Sequence, residues 1–482
     1  MKELPPDFLL SMQRLLQDEY PAFLKVYSSP AASGLRANTL KISPQELADR
    51  LPYALRPVPW CQAGFQLPDR LSPEQTSPGR HPYHAAGLFY LQEPSAMAVA
   101  EVLDPQPGER VLDLCAAPGG KSTHLAARVD DKGLMVANEI HPKRVWELAE
   151  NLERWGAHNV VILNESPARL AERLPAFFDR VLVDAPCSGE GMFRKSEAAL
   201  RDWSPELVQS CTIRQSAILN EAARLTRPGG RLIYSTCTFN PHENERSVAG
   251  FLMEHPYFEL SAVRHPPGLS PGRPEWVEGD HFLPLERTAR LWPHLTAGEG
   301  HFIAVMQRKW LDAIETDEPS PSTSVRQGRA PSQPLAGARS AFTAFCQASL
   351  QPVAQADLLD RQLAQVGEYL YIFPPAAPNL QNLRLIRPGW WLGIIRPGDN
   401  WASNRFEPSH ALALGLRASD VTLRLDLEVQ SARVLAFLRG EVLEWTGEDG
   451  WVLVCTDGYP LGWGRGVKGR LKNHYPRGLR WF

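Results

Sequence analysis

Long hydrophobic runs are absent from this chain of 482 residues. No stretch approaches the roughly 20 continuous apolar residues that a membrane-spanning helix needs. Residues 1–7 also lack the charged-then-apolar pattern of a secretory signal peptide. Hydrophobic residues make up 43% of the chain and charged residues 22%, a composition typical of globular proteins. We therefore predict a soluble, cytoplasmic protein of two to four domains.

Cysteine pairs with metal-ligand spacing are also missing. The seven cysteines are an odd number spread over the whole chain, and none forms a CxxC pair or a His/Cys cluster with zinc spacing. We expect neither structural disulfides nor a bound metal. Four of the thiols are predicted to be buried and inert, because a free cysteine behaves as a small hydrophobic residue. These are Cys61, Cys211, Cys346 and Cys455.

The chain lacks a strong net charge, since its formal charge is only −3. This balance argues against a protein that binds polyanions nonspecifically over its whole surface. Residues 451–482 differ, because six basic residues stand there against the single acid Asp457. The basic residues are Arg465, Lys468, Arg470, Lys472, Arg477 and Arg480, interleaved with Trp463, Tyr475 and Trp481. This segment suits phosphate contacts and base stacking, or is simply a solvated basic strand and loop.

The sequence divides into four regions by composition and pattern. Residues 1–95 read as a small α+β module, and residues 96–310 as an α/β core. Residues 311–340 are rich in Pro, Ser and Ala, which predicts a flexible linker. Residues 341–482 return to short strands and turns, so we expect a separate, mostly β region there.

Short apolar runs alternate with helical patterns in the core. Strands are predicted at residues 111–114, 134–137, 160–163, 180–183 and 231–234, with a late strand at 301–306. A long helix is predicted over residues 205–225, ended by Pro228, Gly229 and Gly230. Strands that alternate with helices of 10 to 20 residues indicate a parallel, doubly wound sheet.

Two cysteines follow strands of this predicted sheet. Cys187 lies in Asp-Ala-Pro-Cys-Ser-Gly after the fourth strand, and Cys237 in Ser-Thr-Cys-Thr after the fifth. Residues just past the carboxyl ends of parallel strands gather in the ligand crevice. Two thiols there could share one covalent reaction, one as nucleophile and the other in proton transfer or release.

A loop of small residues follows the first strand of the core. The sequence from Asp113 to Ser122 reads Asp-Leu-Cys-Ala-Ala-Pro-Gly-Gly-Lys-Ser, which is neither a phosphate loop nor a full dinucleotide fingerprint. Small residues let the backbone approach a ligand, and the helix that follows favours a negative group. Glu139 ends the second strand, where an acid accepts hydrogen bonds from ribose hydroxyls. S-adenosylmethionine fits these features.

This loop and the two cysteine motifs, in that order, resemble the RNA 5-methylcytosine methyltransferases, the family of bacterial Fmu-type and eukaryotic Sun-domain enzymes. Other matching segments are residues 91–97, 191–195, 241–245, 290–294 and 298–302. The resemblance covers residues 30 to 310 well and is strongest to the bacterial F-type 16S rRNA (cytosine-C5)-methyltransferases. In that subgroup the tail carries Gly462, Trp463, Gly469, Leu471, Lys472 and Asn473 at matching places.

The resemblance implies a Rossmann-like class I methyltransferase core between an RNA-binding amino-terminal module and a PUA-like carboxy-terminal region. It implies an S-adenosylmethionine pocket lined by Cys115, Ala116, Ala117, Pro118, Gly119, Gly120, Lys121, Glu139, Arg144 and Asp184. Many relatives carry an aspartate that faces the adenine after the third strand. The matching place here holds Ser166, so either Glu165 or a backbone amide takes that contact.

The same resemblance gives Cys237 the role of nucleophile on C6 of cytosine, with Cys187 assisting proton removal and release of the adduct. Asp184 would bind N3 or the exocyclic amine, and Arg194 and Lys195 are candidate cations or phosphate contacts. The expected substrate is 16S rRNA, with the target base in a loop or partly unpaired helix. We expect a monomer.

Four alternatives stay open at this stage. Cys187 could be the nucleophile, as in the Pro-Cys motif of DNA cytosine-C5 methyltransferases. Amino-group methylation needs no thiol, but its motif has an aromatic residue where Cys187 stands. The substrate could be tRNA. A ribosome-assembly protein without catalysis is the last alternative, although a pure binder needs neither thiol.

Overall fold

The computed structural model describes residues 4–72, 74–129, 131–263, 267–277, 283–310, 331–398 and 404–482. Within these ranges the chain forms four β-sheets, one amino-terminal, one central and two carboxy-terminal. No helix among the described residues has the length and apolarity to span a membrane.

The amino-terminal part combines short helices with a four-stranded antiparallel sheet of order β2-β3-β1-β4. Its helices are α1 (Pro6–Leu16), α2 (Tyr20–Val26), α3 (Pro44–Arg50) and α4 (Pro82–Ala85), and its strands are β1 (Gly34–Ala37), β2 (Arg56–Val58), β3 (Cys61–Gln66) and β4 (Phe89–Leu91). Helices α1 and α2 pack away from this sheet. Their Phe8 and Phe23 rings lie 5.0 Å from Phe193 and 5.3 Å from Phe239, in the segments that follow the two cysteines.

The central sheet carries the predicted doubly wound core. Its strands are β5 (Arg110–Asp113), β6 (Leu134–Asn138), β7 (Val160–Leu163), β8 (Phe178–Asp184), β9 (Thr226–Thr236), β10 (Phe258–Ser261), β11 (Ser270–Pro271), β12 (Ala289–Leu291) and β13 (His301–Arg308). Strands β5 to β9 run parallel in the order β7-β6-β5-β8-β9, and β13 joins β9 antiparallel. The five predicted strands and the late strand are confirmed.

Helices cover both faces of this sheet. They are α5 (Pro94–Leu103), α6 (Gly120–Ala126), α7 (Arg144–Trp155), α8 (Pro167–Arg173), α9 (Glu197–Asp202), α10 (Pro205–Leu225) and α11 (Glu245–Glu254). Side chains alternate along each strand, as in Leu182 against Val181 and Val183, so the sheet contributes to two separate cores. The predicted helix 205–225 is confirmed. Pro228, Gly229 and Gly230, however, lie inside β9 and do not form the stop after the helix.

The carboxy-terminal part contains two further sheets, with orders β14-β15-β17-β18 and β19-β21-β22-β23-β20. The strands are β14 (Leu363–Val366), β15 (Tyr369–Ile372), β16 (Leu385–Arg387), β17 (Trp390–Arg396), β18 (Arg405–Pro408), β19 (Arg424–Leu427), β20 (Leu443–Glu444), β21 (Gly450–Thr456), β22 (Tyr459–Val467) and β23 (Arg470–Asn473). The helices are α12 (Ala336–Ser349), α13 (Pro352–Asp360), α14 (His410–Gly415) and α15 (Ala432–Arg439).

Strand β16 leaves these sheets and joins the core. It pairs antiparallel with β7, with Leu385 opposite Leu163. The Arg387 guanidinium also donates to Glu153 of α7 at 2.6 Å. The edge of the central sheet at β7 is thereby covered by a strand of the carboxy-terminal part.

The predicted flexible linker, residues 311–340, falls mostly on residues 311–330, which lie outside the described residues. The prediction of a flexible linker is wrong for residues 336–340, because α12 begins at Ala336. Ala338, Phe342 and Phe345 recur at helical spacing and are buried against the first carboxy-terminal sheet.

The carboxyl end of α7 is capped by the amino-terminal module. Lys41 Nζ donates to Arg154 O at 3.1 Å, and Asn38 Nδ2 donates to Trp155 O at 2.7 Å and to Gly87 O at 2.8 Å. The last carbonyls of a helix lack partners within it, and a cation there is favoured by the helix dipole. The module is therefore bound to the core through backbone groups.

We predict that Gly87→Ala weakens this junction. Gly87 has a φ of +69°, and a Cβ there would lie 1.9 Å from Arg154 O. Gly108→Ala is the matched control, because Gly108 has a φ of +82° but no atom within 4 Å of the added Cβ. Both changes strain the backbone, by about 1 kcal/mol. Only Gly87→Ala adds a clash, so it should lower the free energy of unfolding clearly more in urea titrations. Equal losses would contradict the close-approach argument.

Candidate active site

The two cysteines singled out in the sequence lie side by side. Strands β8 and β9 are adjacent and parallel, with Asp184 opposite Ser235, so the segments that follow them leave the same edge of the sheet. The Sγ atoms of Cys187 and Cys237, 50 positions apart in sequence, are 3.4 Å apart. The structure thus brings the two thiols together at one edge of the sheet.

The two thiols differ in their surroundings. The pKa of Cys187 is raised well above its ordinary value by the hydrogen bond with Cys237, by burial and by the charges of Cys237 and Glu243. Cys187 is therefore held as a neutral thiol beside Cys237. Such a group can donate a proton, but the neutral thiol is a poor nucleophile.

The segments that carry the thiols touch through Gly191. Its backbone N–H donates to Cys237 O at 2.8 Å. A Cβ at this position would lie 2.8 Å from the same oxygen and 3.0 Å from Glu299 O. Glycine is thus needed for the close approach of these backbones.

Buried carboxylates hold these segments in place. Glu243 accepts from Ser188 N and from Gln215 Nε2, both at 2.9 Å. Glu190 accepts from Phe239 N at 3.0 Å, and burial and the charge of Glu243 raise its pKa to about 7. Each carboxylate joins residues near one cysteine to residues near the other.

A partly buried ion pair adjoins the thiols. Lys121 Nζ, at the start of α6, donates to Asp184 Oδ2 at 2.7 Å, and Ser235 Oγ donates to Asp184 Oδ1 at 2.8 Å. Burial alone would raise the pKa of Asp184, but the Lys121 charge, with other neighbours, lowers it overall. The pKa of Lys121 is raised, because Asp184 and, to a lesser degree, Cys237 outweigh its burial. The site therefore holds an ionised carboxylate and an ammonium group next to Cys237.

Glu93, Ser95 and His301 form a hydrogen-bonded chain that the sequence analysis did not single out. His301 Nδ1 lies 3.0 Å from Ser95 Oγ, and Ser95 Oγ donates to Glu93. Burial lowers the pKa of His301 to about 4, so the ring is neutral at pH 7. Glu93 and His301 both lie in segments that matched the family pattern, so the resemblance could have pointed to them.

The loop of small residues, residues 113–122, runs from β5 to α6 as predicted and is called the cofactor loop from here on. Ala116 N donates to Asn138 O at 2.8 Å, and Ser122 Oγ donates to Asp113 Oδ2 at 2.7 Å. Arg36 of the amino-terminal module, which the sequence analysis missed, donates to Gly120 O at 3.0 Å and to Thr123 Oγ1 at 2.8 Å. The loop is thus fixed from the core and from the module.

Glu139 and Arg144 lie beside this loop. Arg144 Nη2 donates to Ala117 O at 2.6 Å, and Glu139 Oε1 accepts from His141 N at 2.8 Å. Glu139 Oε2 lies 3.6 Å from Arg144, longer than a hydrogen bond, so this oxygen can accept from a ligand's hydroxyls. A nearly buried acid with a spare acceptor, next to a loop of small residues, fits a nucleoside such as that of S-adenosylmethionine.

Two residues have structural roles that differ from the sequence interpretation. Glu165 does not point at a ligand, because its Oε1 accepts from Arg384 N at 2.8 Å next to β16. Arg194 is not a phosphate contact, since its Nε donates to the buried Glu299 at 2.7 Å. Lys195 is exposed.

The other cysteines match their predicted burial. Cys61, Cys211, Cys346 and Cys455 are buried, and all seven thiols are free. In the part of the chain that the structure describes, one group of metal-ligand type is close enough to hold an ion: Cys61, Glu101 and His124. Its carboxylate is already engaged by Arg128 at 2.7 Å and by His124 at 3.1 Å.

The basic tail is exposed, but two of its aromatic residues are not. The exposed side chains are Arg465, Lys468, Arg470, Lys472 and Arg477. Trp463 and Tyr475 are only 2% and 4% exposed, and Trp463 Nε1 donates to Ser409 O at 3.0 Å. The prediction that they stack on bases is wrong, because both rings fill the cores of the carboxy-terminal sheets.

Comparison with known proteins identifies relatives along almost the whole chain. Four family models match: the N-terminal domain of 16S rRNA methyltransferase RsmF (residues 4–94), 16S rRNA methyltransferase RsmB/F (100–307), the RsmF rRNA methyltransferase first C-terminal domain (344–416) and the methyltransferase RsmF PUA domain (424–481). Ribosomal RNA small subunit methyltransferase F of Erwinia tasmaniensis is 33% identical over 98% of this chain and 96% of its own. The Klebsiella pneumoniae protein of the same name is 34% identical over 98% and 96%.

Solved structures agree with the fold of the first two-thirds of the chain. A methyltransferase homolog protein from Pyrococcus horikoshii has a TM-score of 0.51 at 30% identity, covering 63% of this chain and 100% of that chain. NSun6 from the same organism, solved with SFG, has a TM-score of 0.53 and covers 63% of this chain and 98% of that chain. Its identity of 21% makes it a comparison of fold alone.

We predict that the stability of the folded protein depends on pH through Asp113, at the start of the cofactor loop. Burial raises the pKa of Asp113 from 3.8 to about 7, and its Oδ1 has no hydrogen-bond partner. The folded protein therefore binds more protons than the unfolded chain between these values, so this contribution to stability is full below about pH 4 and is lost as the pH rises through about 7.

Asp113→Asn should raise the melting temperature at pH 8.5 by about 2–4 °C and give no gain at pH 5. Asp202→Asn, at an exposed acid, is the control. A gain for Asp113→Asn that is equal at both pH values would contradict the argument.

Proposed function

Because this chain belongs to the family of the 16S rRNA methyltransferases RsmB/F, we propose that it methylates C5 of cytosine in 16S rRNA of the small ribosomal subunit. The observation that carries this proposal is the pair of thiols 3.4 Å apart beside the Asp184–Lys121 ion pair. C5 of cytosine is a weak nucleophile until a thiolate adds to C6, whereas amino-group methylation needs no thiol. Two thiols in one crevice therefore favour C5.

S-adenosylmethionine supplies the methyl group when bound. Residues 115–121 would surround it together with Arg144 and Asp184, and Glu139 would accept from its ribose hydroxyls. Arg144 holds Ala117 O in the loop, and Arg36 fixes the backbone at Gly120. These contacts give the loop its shape before any ligand binds.

Cys237 is the proposed nucleophile. Lys121 lies close enough to Cys237 for their charges to interact. The thiolate adds to C6, and the electron pair of the C5–C6 bond moves to C5. Ionised Asp184 can accept a hydrogen bond from the exocyclic amine, or from N3 once N3 carries a proton, and so favours the protonated ring in which the negative charge of sulfur addition is neutralised.

Cys187 assists the return to aromaticity. After C5 is methylated, its proton must leave and the C6–sulfur bond must break, so that the electron pair of C5–H re-forms the double bond and the Cys237 sulfur is released. The raised pKa of Cys187 keeps it protonated, so it can pass its proton to the leaving Cys237 sulfur at 3.4 Å; the Cys187 thiolate so formed takes the C5 proton, and both residues end as thiols. The exchanged assignment, with Cys187 as nucleophile, is the outcome that an adduct in Cys237→Ala would reveal.

The amino-terminal module and the carboxy-terminal part suit an RNA substrate. The exposed basic residues of β22 and β23 can contact phosphates, and the amino-terminal module adjoins the cofactor loop. We propose that both bind RNA on either side of the target cytosine, in a cytoplasmic protein that acts as a monomer. A tRNA substrate and a binding protein without catalysis are the outcomes that the first experiment would reveal.

We predict different products from the two cysteine variants when protein, labelled S-adenosylmethionine and small-subunit rRNA are incubated together. Cys237→Ala should give no 5-methylcytidine, because no adduct forms. Cys187→Ala should accumulate a covalent RNA–protein complex that survives a denaturing gel, because release is blocked.

Cys346→Ala, at a buried thiol of α12 in the carboxy-terminal part, serves as control and should behave as wild type. An adduct in Cys237→Ala would exchange the two roles. Methylation of tRNA alone would change the substrate, and no label on either RNA would leave a binding protein.

Asp184→Asn should reduce kcat by about 100-fold or more, because a group that stabilises developing charge contributes on this scale. Ser235→Ala removes only the donor to Asp184 Oδ1 and should cost much less. RNA affinity in a filter-binding assay should change little in both variants. A fall in kcat for Ser235→Ala that equals that of Asp184→Asn would mean that Asp184 acts only as a structural residue.

A further inference from the structure

A cavity of about 670 Å³ lies where the core, the amino-terminal module and the carboxy-terminal part meet. One wall is formed by α7 and another by α4 with the segment before it, and the rest comes from β16, β17, β18, the start of α14 and the segment 474–481. The proposed catalytic machinery does not use it. Its lining is unusually rich in aromatic rings: Trp146, Trp391, Tyr475 and Trp481.

Trp146, Arg387 and Trp391 form an arginine-centred platform in this cavity. The Arg387 guanidinium carbon lies 5.5 Å from the Trp146 ring centroid and 4.7 Å from that of Trp391. Glu153 fixes the guanidinium through a hydrogen bond of 2.6 Å from Arg387 Nε. The two indoles are thus held in place by a residue of β16, the strand that joins the core sheet.

Trp146 is not needed by the core. Its side chain is 53% exposed, whereas the buried positions of α7 are Val145, Leu148, Ala149, Leu152 and Trp155. An exposed indole beside a guanidinium presents a flat π-surface and a positive charge together. This combination binds the face of a nucleobase.

The lining of the cavity is close to charge balance, and further basic residues lie beside it. Its acids are Glu150, Glu153 and Glu407. Glu153 is paired with Arg387 and Glu407 with Arg396 at 3.0 Å, and Glu150 interacts with the charge of Arg154, which also lines the cavity. Arg477 is exposed and lies in sequence between Pro476 and Gly478 of the lining, so it can add positive charge for the phosphates of an RNA chain.

We propose that the Trp146–Arg387–Trp391 platform is a stacking site for one unpaired nucleobase of the RNA substrate. This inference rests on the proposed function. Arg144, two positions before Trp146 on α7, contacts the cofactor loop at Ala117 O, and residues two apart on a helix face different sides. A nucleotide on the platform therefore lies outside the proposed catalytic site and contacts a different part of the same RNA from the target cytosine. Stacking needs no particular base, so the site contributes affinity more than sequence selection.

The test measures RNA affinity without methylation. A fluorescein-labelled oligouridine of about 12 nucleotides, a length within the range bound by single-strand-binding modules, is titrated with full-length variants in an anisotropy assay. Trp146→Ala should weaken binding about ten-fold, since stacking of one base contributes on this scale. Trp146→Phe should recover most of the affinity, and Trp146→Leu, which keeps apolar area without a π-face, should not.

Trp310→Ala is the matched control, because Trp310 is also exposed, at 76%, and also faces an arginine, Arg227, at 5.6 Å. It lies outside this cavity and should bind RNA as wild type. Unchanged affinity in Trp146→Ala, or full recovery by Trp146→Leu, would overturn the proposal. Recovery by leucine would indicate an apolar protein partner.

A second readout separates this inference from the proposed function. With small-subunit rRNA, Trp146→Ala should raise KM and leave kcat unchanged, because the platform binds ground state and transition state alike. If no variant methylates rRNA but Trp146→Ala still loses affinity for oligouridine, the proposed function fails and the platform stands. A fall in kcat at unchanged KM would overturn the platform as an RNA-binding site.

Discussion

The parallel pairing of β8 with β9 is the constraint on which the active site depends. With Asp184 opposite Ser235, both segments leave the sheet at one level, and Cys187 and Cys237 follow their strands by nearly the same number of residues. A register shift of one residue would turn the side chains of one strand to the other face of the sheet. The 3.4 Å contact between the thiols is therefore set by backbone hydrogen bonds and not by the loops alone.

The loops nevertheless need strong internal support, since both are irregular. Burying a carboxylate is costly unless it is hydrogen-bonded or paired. Here the buried acids provide the connections between the two segments. Glu243 binds Ser188 and Gln215, Glu190 binds Phe239 N, and the fully buried Arg290 pairs with Glu245 through a 2.7 Å hydrogen bond from its Nε. The same low-dielectric surroundings strengthen the Lys121–Asp184 pair and keep Cys187 neutral, so the support of the loops and the proposed chemistry depend on one environment.

Helix α7 joins the parts of the molecule. Its first turn contacts the cofactor loop through Arg144, its last turn holds Arg387 of β16 through Glu153, and its last carbonyls accept from Lys41 and Asn38. One helix thus connects the core with the amino-terminal module and the carboxy-terminal part. These contacts fix both parts relative to the core.

The sequence by itself determined the alternation of strands and helices, the small-residue loop after β5, and the placement of Cys187 and Cys237 at one edge of the sheet. These features follow from local patterns and from the rule that parallel strands end together. Tertiary structure decided what depends on contacts between distant segments. Arg36 reaches Gly120 from 84 positions away, β16 pairs with β7 from the far side of the chain, and Trp463 and Tyr475 are buried although their neighbours are basic and exposed. No local pattern records which partner a side chain meets, because that choice depends on how the separate units pack.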